Sequence, residues 1–100
     1  MKKPRIGQWV YKIYHESISK MQVYMLGKNE FCTEDAFNSM YLLDSRWPLS
    51  YDDYGETWFY SLEEAKEKVK EEYPDYKIVK LTALYWEAMP TKGENINAKM

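Results

Sequence analysis

The chain has 100 residues, of which 45% are hydrophobic and 30% charged, and its formal net charge is −2. This balance predicts one soluble globular domain with one modest core, and a net charge so close to zero cannot steer a partner by itself. The sequence has no apolar run long enough to cross a bilayer and no hydrophobic signal core, and its single cysteine excludes an internal disulfide, so we expect a cytoplasmic protein.

The first part of the chain predicts a β-hairpin. Residues 1–7 indicate a flexible basic lead. Residues 8–15 and 20–26 both alternate side chains between two faces, which is typical of strands, and a short polar break joins them. Glycine and asparagine in residues 27–29 then predict a turn, because both tolerate positive φ.

A first helix is predicted to begin at Thr33. Its hydroxyl can cap the free N–H groups of a helix start, and two acids follow it where the helix dipole favours negative charge. The helix is expected to end near Leu43 or Asp44. Apolar residues at helical spacing support it: Ala36, Phe37, Met40, Tyr41 and Leu43.

The second half of the chain predicts strand, helix and strand. Residues 57–60 indicate a short edge strand, and Ser61 with Glu64 forms a capping box at a helix start. Pro74 ends that helix, and residues 76–87 predict a long, central strand. The apolar stripe of the helix is narrow, so the helix should lie on a sheet: Leu62, Ala65, Val69 and Tyr73.

These elements predict a two-layer α+β fold in the order β-β-α-β-α-β. We expect a mostly antiparallel four-stranded sheet with two helices packed on one face. The domain is expected to span residues 8–88, and residues 89–100 are expected to form a flexible tail.

The connection between the two helices is the strongest candidate for a working surface. Residues 44–55 follow neither period and are long for a loop in a small domain, and the middle of the chain is acidic. Aromatic anchors inside a polar rim are typical of protein interfaces, although the aromatics could equally fold back and plug the core. The candidate partner-binding residues are Asp44, Trp47, Tyr51, Asp52, Asp53, Tyr54, Glu56 and Trp58.

Catalytic and metal chemistry have little support in the sequence. Adjacent Asp52 and Asp53 would point apart in extended chain, and His15 has no pattern that places it near Cys32 as a base beside a nucleophile. Those two residues are also too few for a zinc site, and the alternating acids of a calcium-binding loop are absent from the sequence. We therefore expect no catalytic residues, metal or cofactor, with a motif-free small enzyme as a remote alternative.

A second hypothesis is binding of single-stranded nucleic acid. Aromatic side chains exposed on a sheet beside lysines can stack bases and neutralise phosphates. The same aromatics could instead be ordinary cross-strand pairs. The residues that would supply this surface are Lys12, Tyr14, Lys20, Tyr24, Lys80 and Trp86.

The favoured interpretation is a non-enzymatic cytoplasmic protein-binding module that acts through the acidic, aromatic loop on a partner with a basic surface. In composition the chain resembles small accessory proteins of bacteriophages, several of which block host enzymes by acidic mimicry. That resemblance, which rests on composition and on no shared motif, implies an inhibitor or regulator. A homodimer through an edge strand is also compatible with the sequence.

Overall fold

A computed structural model of the chain describes residues 3–34 and 46–91. Strands make up 53% of it and helical residues 19%, so the fold is mostly β. Seven strands form one sheet that curls into a half-barrel, and the described residues contain one α-helix. The predicted α+β fold with four strands and two helices is therefore wrong.

The strands and helices follow one another in short elements. The seven strands are β1 (Trp9–Tyr14), β2 (Ser17–Leu26), β3 (Glu30–Glu34), β4 (Arg46–Ser50), β5 (Trp58–Phe59), β6 (Tyr76–Thr82) and β7 (Tyr85–Pro90). A 3₁₀ turn, Tyr51–Asp53, follows β4, and the helix α1 spans Leu62–Glu72.

The longest strand, β2, organises the sheet. It pairs with β1 along one edge, and β5 extends the sheet beyond β1. Its other edge is shared, because residues 17–19 pair with β7 and residues 22–26 pair with β3. The sheet therefore forks at β2 into two antiparallel strand pairs, β3–β4 and β6–β7.

The prediction that a first helix begins at Thr33 is wrong, because Thr33 lies inside β3 and is fully buried. Its Oγ1 donates a hydrogen bond to the Trp47 carbonyl at 2.8 Å on the neighbouring strand. A hydroxyl followed by acids therefore does not mark a cap here, because strand pairing and burial override local propensity. Glu34 also lies in β3, and the later residues of that predicted helix lie outside the described residues.

Part of the predicted irregular connection is the strand β4. Pro48 has no N–H to donate to a strand ladder, so the sequence did not predict a strand here. It is tolerated because β4 is an edge strand, paired only with β3 among the described residues. The segment also lacks strict alternation, since its exposed residues include Trp47.

The predicted long final strand is two strands joined at Ala83 and Leu84. The Leu84 N–H donates to Thr82 Oγ1 at 3.1 Å, which closes the turn. β-branched and aromatic residues on both sides of the turn gave no sequence signal for it. The prediction of a long central strand is wrong, because β6 lies at the edge of the sheet.

Several local predictions are confirmed. β1 and β2 form a hairpin whose turn uses the positive φ of 54° at His15. β5 falls within the predicted short strand. The capping box at the start of α1 is present, since the Glu64 N–H donates to Ser61 Oγ at 3.2 Å and Ser61 Oγ contacts the Glu64 carboxylate at 3.0 Å.

The sheet has a hydrophobic core on each face. The strand β5 consists of two residues, Trp58 opposite Lys12 and Phe59 opposite Tyr11 of β1. Because successive side chains of a strand alternate, Trp58 and Phe59 point to opposite faces of the sheet. The core on the side of the 3₁₀ turn, called the turn-side core, contains Val10, Val23, Phe31, Leu49, Tyr51 and Trp58. The core under α1, called the helix-side core, contains Ile18, Phe59, Ala65, Val69, Trp86 and Ala88.

The ends of the described chain attach to this frame. Pro4 is buried, and the Gly7 N–H donates to the Val23 carbonyl at 2.7 Å. At the other end, β7 includes Met89 and Pro90, and residues 92–100 of the expected tail lie outside the described residues. In the part of the chain that the structure describes, no helix is long and apolar enough to span a membrane.

Candidate functional site

Residues 51–57, which connect β4 to β5, are named the acidic turn. They begin with the 3₁₀ turn and end beside Trp58. The Ser50 hydroxyl accepts a hydrogen bond from the Asp52 N–H at 3.3 Å, as a cap does. The turn is then closed by Asp53, whose carbonyl accepts from the N–H groups of Glu56 at 2.9 Å and Thr57 at 3.0 Å.

Tyr51 holds the start of the turn in the turn-side core. Only 6% of the residue is exposed, and its ring stacks on Phe31 at 5.3 Å between centroids. The phenol donates to the Gly27 carbonyl at 2.9 Å, so the buried hydroxyl is satisfied. The Lys3 ammonium lies 4.7 Å from the ring centroid, which brings one basic side chain close to the turn.

Trp58 holds the end of the turn. It is fully buried, and its indole N–H donates to the Ser50 carbonyl at 2.7 Å. Its ring meets Phe31 edge to face at 4.9 Å. Tyr51 and Trp58 therefore fix both ends of the turn from inside, and neither presents its ring to a partner.

Tyr54 links the turn to the start of α1. Its phenol donates to Glu64 Oε2 at 2.7 Å, and its ring packs against Trp58 and Tyr60. The hydrogen bond to Glu64, together with burial and the negative charge of that carboxylate, raises the pKa of Tyr54. Burial likewise raises the pKa of Tyr60. Both phenols stay neutral at ordinary pH and serve as packing groups.

The carboxylates of the turn point outward. Asp52, Asp53 and Glu56 are all exposed. Glu56 lies 3.3 Å from the Lys68 ammonium on α1, but its side chain is 71% exposed, so solvent screens this ion pair. The turn thus combines buried aromatic anchors with an acidic outer surface.

Trp47 is the aromatic residue of the segment that remains largely accessible. It is 42% exposed and lies at the start of β4, at the opposite end of that strand from the acidic turn. The Lys12 ammonium lies 4.1 Å from its ring centroid and 5.1 Å from that of Tyr14, which is 60% exposed. Two exposed rings therefore flank one lysine on the turn-side face.

The predicted site is thus only partly brought together. Asp52, Asp53 and Glu56 are exposed on the acidic turn, Tyr54 is half-buried in it, and Asp44 lies outside the described residues. Sequence reasoning missed the contribution of Glu64 to this site, and it assigned Lys12 to the nucleic-acid surface without its contact with Trp47. Glu64 was visible as a capping residue, but its bond to Tyr54 depends on how α1 packs against the turn, which carries no sequence signal.

The residues of the nucleic-acid hypothesis divide between the two faces. Lys12 and Tyr14 lie on the turn-side face. Lys20 and Lys80 belong to the other face, as their cross-strand partners indicate. Trp86 is 6% exposed in the helix-side core and cannot stack a base. Tyr24 is half-buried, and β2 has an irregular register between Val23 and Met25.

The groups considered for catalysis lie on different elements. Cys32 is in β3, and His15 is in the turn between β1 and β2. Within residues 3–34 and 46–91, no three His, Cys, Asp or Glu side chains are grouped so that they could hold a metal ion.

Comparison with known proteins adds no family to this description. No protein-family model matches the chain, and no curated protein or solved structure matches it significantly.

Proposed function

We propose that this protein is a non-enzymatic cytoplasmic binding module that presents its acidic turn to a basic surface on a partner protein. The observation that carries the proposal is the division of the turn, with Tyr51 and Trp58 anchored in the core and the carboxylates of Asp52, Asp53 and Glu56 exposed. Because the turn is already fixed before binding, it loses little conformational entropy when a partner binds. Complementary charge accelerates the encounter with that partner.

The class of partner follows from this chemistry. A patch of lysine and arginine side chains complements the three carboxylates, and enzymes that bind nucleic acid carry such patches. The protein would then act as an inhibitor or regulator by covering that patch. Tyr54 ties the turn to α1 through its hydrogen bond to Glu64. Trp47, at the other end of β4, would add an accessible ring only to a contact that extends along that strand.

The test is affinity capture from lysate of the native host, with and without nuclease, followed by mass spectrometry. The bait variant combines Asp52→Asn, Asp53→Asn and Glu56→Gln. A charge-matched control bait combines Glu63→Gln, Glu67→Gln and Glu71→Gln, which are exposed on α1. We expect a protein that is captured by the wild type and the control, survives nuclease, and is lost with the turn variant. Equal capture by all three baits would contradict the proposal.

Binding of single-stranded nucleic acid is the second candidate, favoured by the lysine that lies between Trp47 and Tyr14. Stacking of a base on either ring beside an ammonium group would provide a small, sequence-tolerant site. Labelled oligonucleotides would then bind with an affinity that falls steeply with salt, and Trp47→Ala would weaken that binding while the acidic-turn variant would not.

A further inference from the structure

The strand β6 is the longest outer strand of the sheet. It has seven residues, compared with five in β4 and two in β5. Among residues 3–34 and 46–91, it pairs only with β7. An edge of this length offers a row of main-chain donors and acceptors to an added strand.

The direction of those main-chain groups follows from the pairing of β7. The Lys20 N–H donates to the Leu84 carbonyl, and the Ala88 N–H donates to the Glu16 carbonyl. Even-numbered residues of β7 therefore turn their main chain towards β2, and odd-numbered residues turn theirs towards β6.

The residues of β6 that lie opposite the odd-numbered residues of β7 already have main-chain hydrogen bonds to β7. Glu87 lies opposite Val79, and Met89 lies opposite Lys77. Val79 and Lys77 consequently direct their N–H and C=O groups to β7. The intervening Ile78, and Lys80 beyond, direct theirs outward.

The side chains along this edge are basic and partly apolar. Lys77 and Lys80 are exposed, and because they are three residues apart they project from opposite faces of the strand. Leu81 is 44% exposed at the end of the edge. Glu87, on the neighbouring strand, is the one acid paired across β6 and lies on the Lys77 face.

We propose that the outer edge of β6 binds an acidic segment of a partner protein, which adds in extended conformation as a further antiparallel strand. The main-chain groups of Ile78 and Lys80, which no described strand pairs with, supply the ladder, and one lysine on each face selects carboxylates. A second copy of this chain is the wrong occupant, since pairing β6 with itself would gather four lysines on two adjacent strands. This surface is separate from the acidic turn and does not depend on its proposed role.

The probe is a synthetic octapeptide of valine and threonine with glutamates at positions three and six. In antiparallel register, these glutamates come opposite Lys80 and Lys77. One control peptide carries lysines at the same positions, and another is N-methylated at positions three and five, opposite Lys80 and Ile78. Binding to the full chain is followed by NMR through the main-chain amide signals.

We expect the acidic peptide to shift and protect the amides of Ile78 and Lys80, and to bind about tenfold or more tightly than either control. The pair Lys77→Glu and Lys80→Glu should reverse the preference towards the lysine peptide. The charge-matched pair Lys66→Glu and Lys70→Glu on α1 should leave the preference unchanged.

Three outcomes would overturn the proposal. The acidic and N-methylated peptides binding equally would exclude strand addition. Amide shifts confined to other strands would place the peptide elsewhere. A dimer in sedimentation whose interface protects β6 amides would assign the edge to a second copy of the chain.

Discussion

At the scale of residues, the acidic turn depends on where each polar atom finds a partner. Tyr51 and Trp58 can be buried because each donates its polar hydrogen to a main-chain carbonyl, of Gly27 and Ser50 respectively. The neighbouring Asp52 has a charge that no buried partner neutralises, so it stays in water. Hydrogen bonding therefore determines which side chains of the turn are anchors and which are available for contact.

Trp58→Phe tests the inner anchor. We expect the substitution to lower the free energy of unfolding by about 2 to 3 kcal/mol, because it removes the bond to Ser50 and leaves unfilled space in the core. The exposed Trp47 provides the matched control, and Trp47→Phe should cost less than about 1 kcal/mol. Urea denaturation of both variants measures the difference, and equal costs would mean that Trp58 is not an anchor.

Tyr54→Phe tests the link between the turn and α1 through its pH dependence. The hydrogen bond to Glu64 raises the pKa of Tyr54 above 10.0, so the folded state favours the neutral phenol. The stabilisation is therefore complete below the unfolded-state pKa and is lost as the pH rises through the folded-state value. We expect the wild type to exceed Tyr54→Phe in unfolding free energy by about 1 kcal/mol at neutral pH, with the difference falling above about pH 10. A difference that stays constant across this range would exclude the bond.

At the scale of elements, the sequence predicted those that carry complete local signals. The capping box of Ser61 and Glu64, the apolar stripe of α1 and the alternation of β1 were all sufficient without tertiary context. β3 and β4 were not predicted, because a hydroxyl before acids is also typical of a helix cap and Pro48 is also typical of a loop. Their assignment depends on pairing between distant segments, which local patterns do not contain.

Thr33→Asp separates the two interpretations of that segment. Aspartate caps a helix at least as well as threonine, so a helix start at Thr33 would be preserved. In the fully buried strand position, the same carboxylate lacks a charged partner, and we expect a loss of about 3 kcal/mol or more in unfolding free energy. Thr33→Val keeps the strand shape and should cost about 1 kcal/mol through the lost bond to Trp47. An unchanged stability of Thr33→Asp would contradict the assignment of β3.

At the scale of the whole molecule, β2 joins the two cores. Val23 belongs to the turn-side core and Ile18 to the helix-side core, so one strand carries both. The site could not be predicted at this scale, because the sequence does not reveal which face of a curled sheet each aromatic residue enters.

Hydrogen exchange of main-chain amides tests this organisation. Since β2 pairs on both edges and serves both cores, we expect its amides to exchange only through global unfolding. The outward amides of Ile78 and Lys80 should exchange much faster, because no described strand pairs with that edge of β6. Faster exchange in β2 than in the bonded residues of β6 would contradict a central β2.

The most direct test of the account is the affinity of the captured partner for two variants of equal charge. Calorimetric titration would compare the neutralised turn, with Asp52→Asn, Asp53→Asn and Glu56→Gln, against the neutralised helix face, with Glu63→Gln, Glu67→Gln and Glu71→Gln. We predict that the turn variant loses about tenfold or more in affinity while the helix variant stays within about threefold of the wild type. Equal losses in the two variants, or no loss in either, would contradict recognition through the acidic turn.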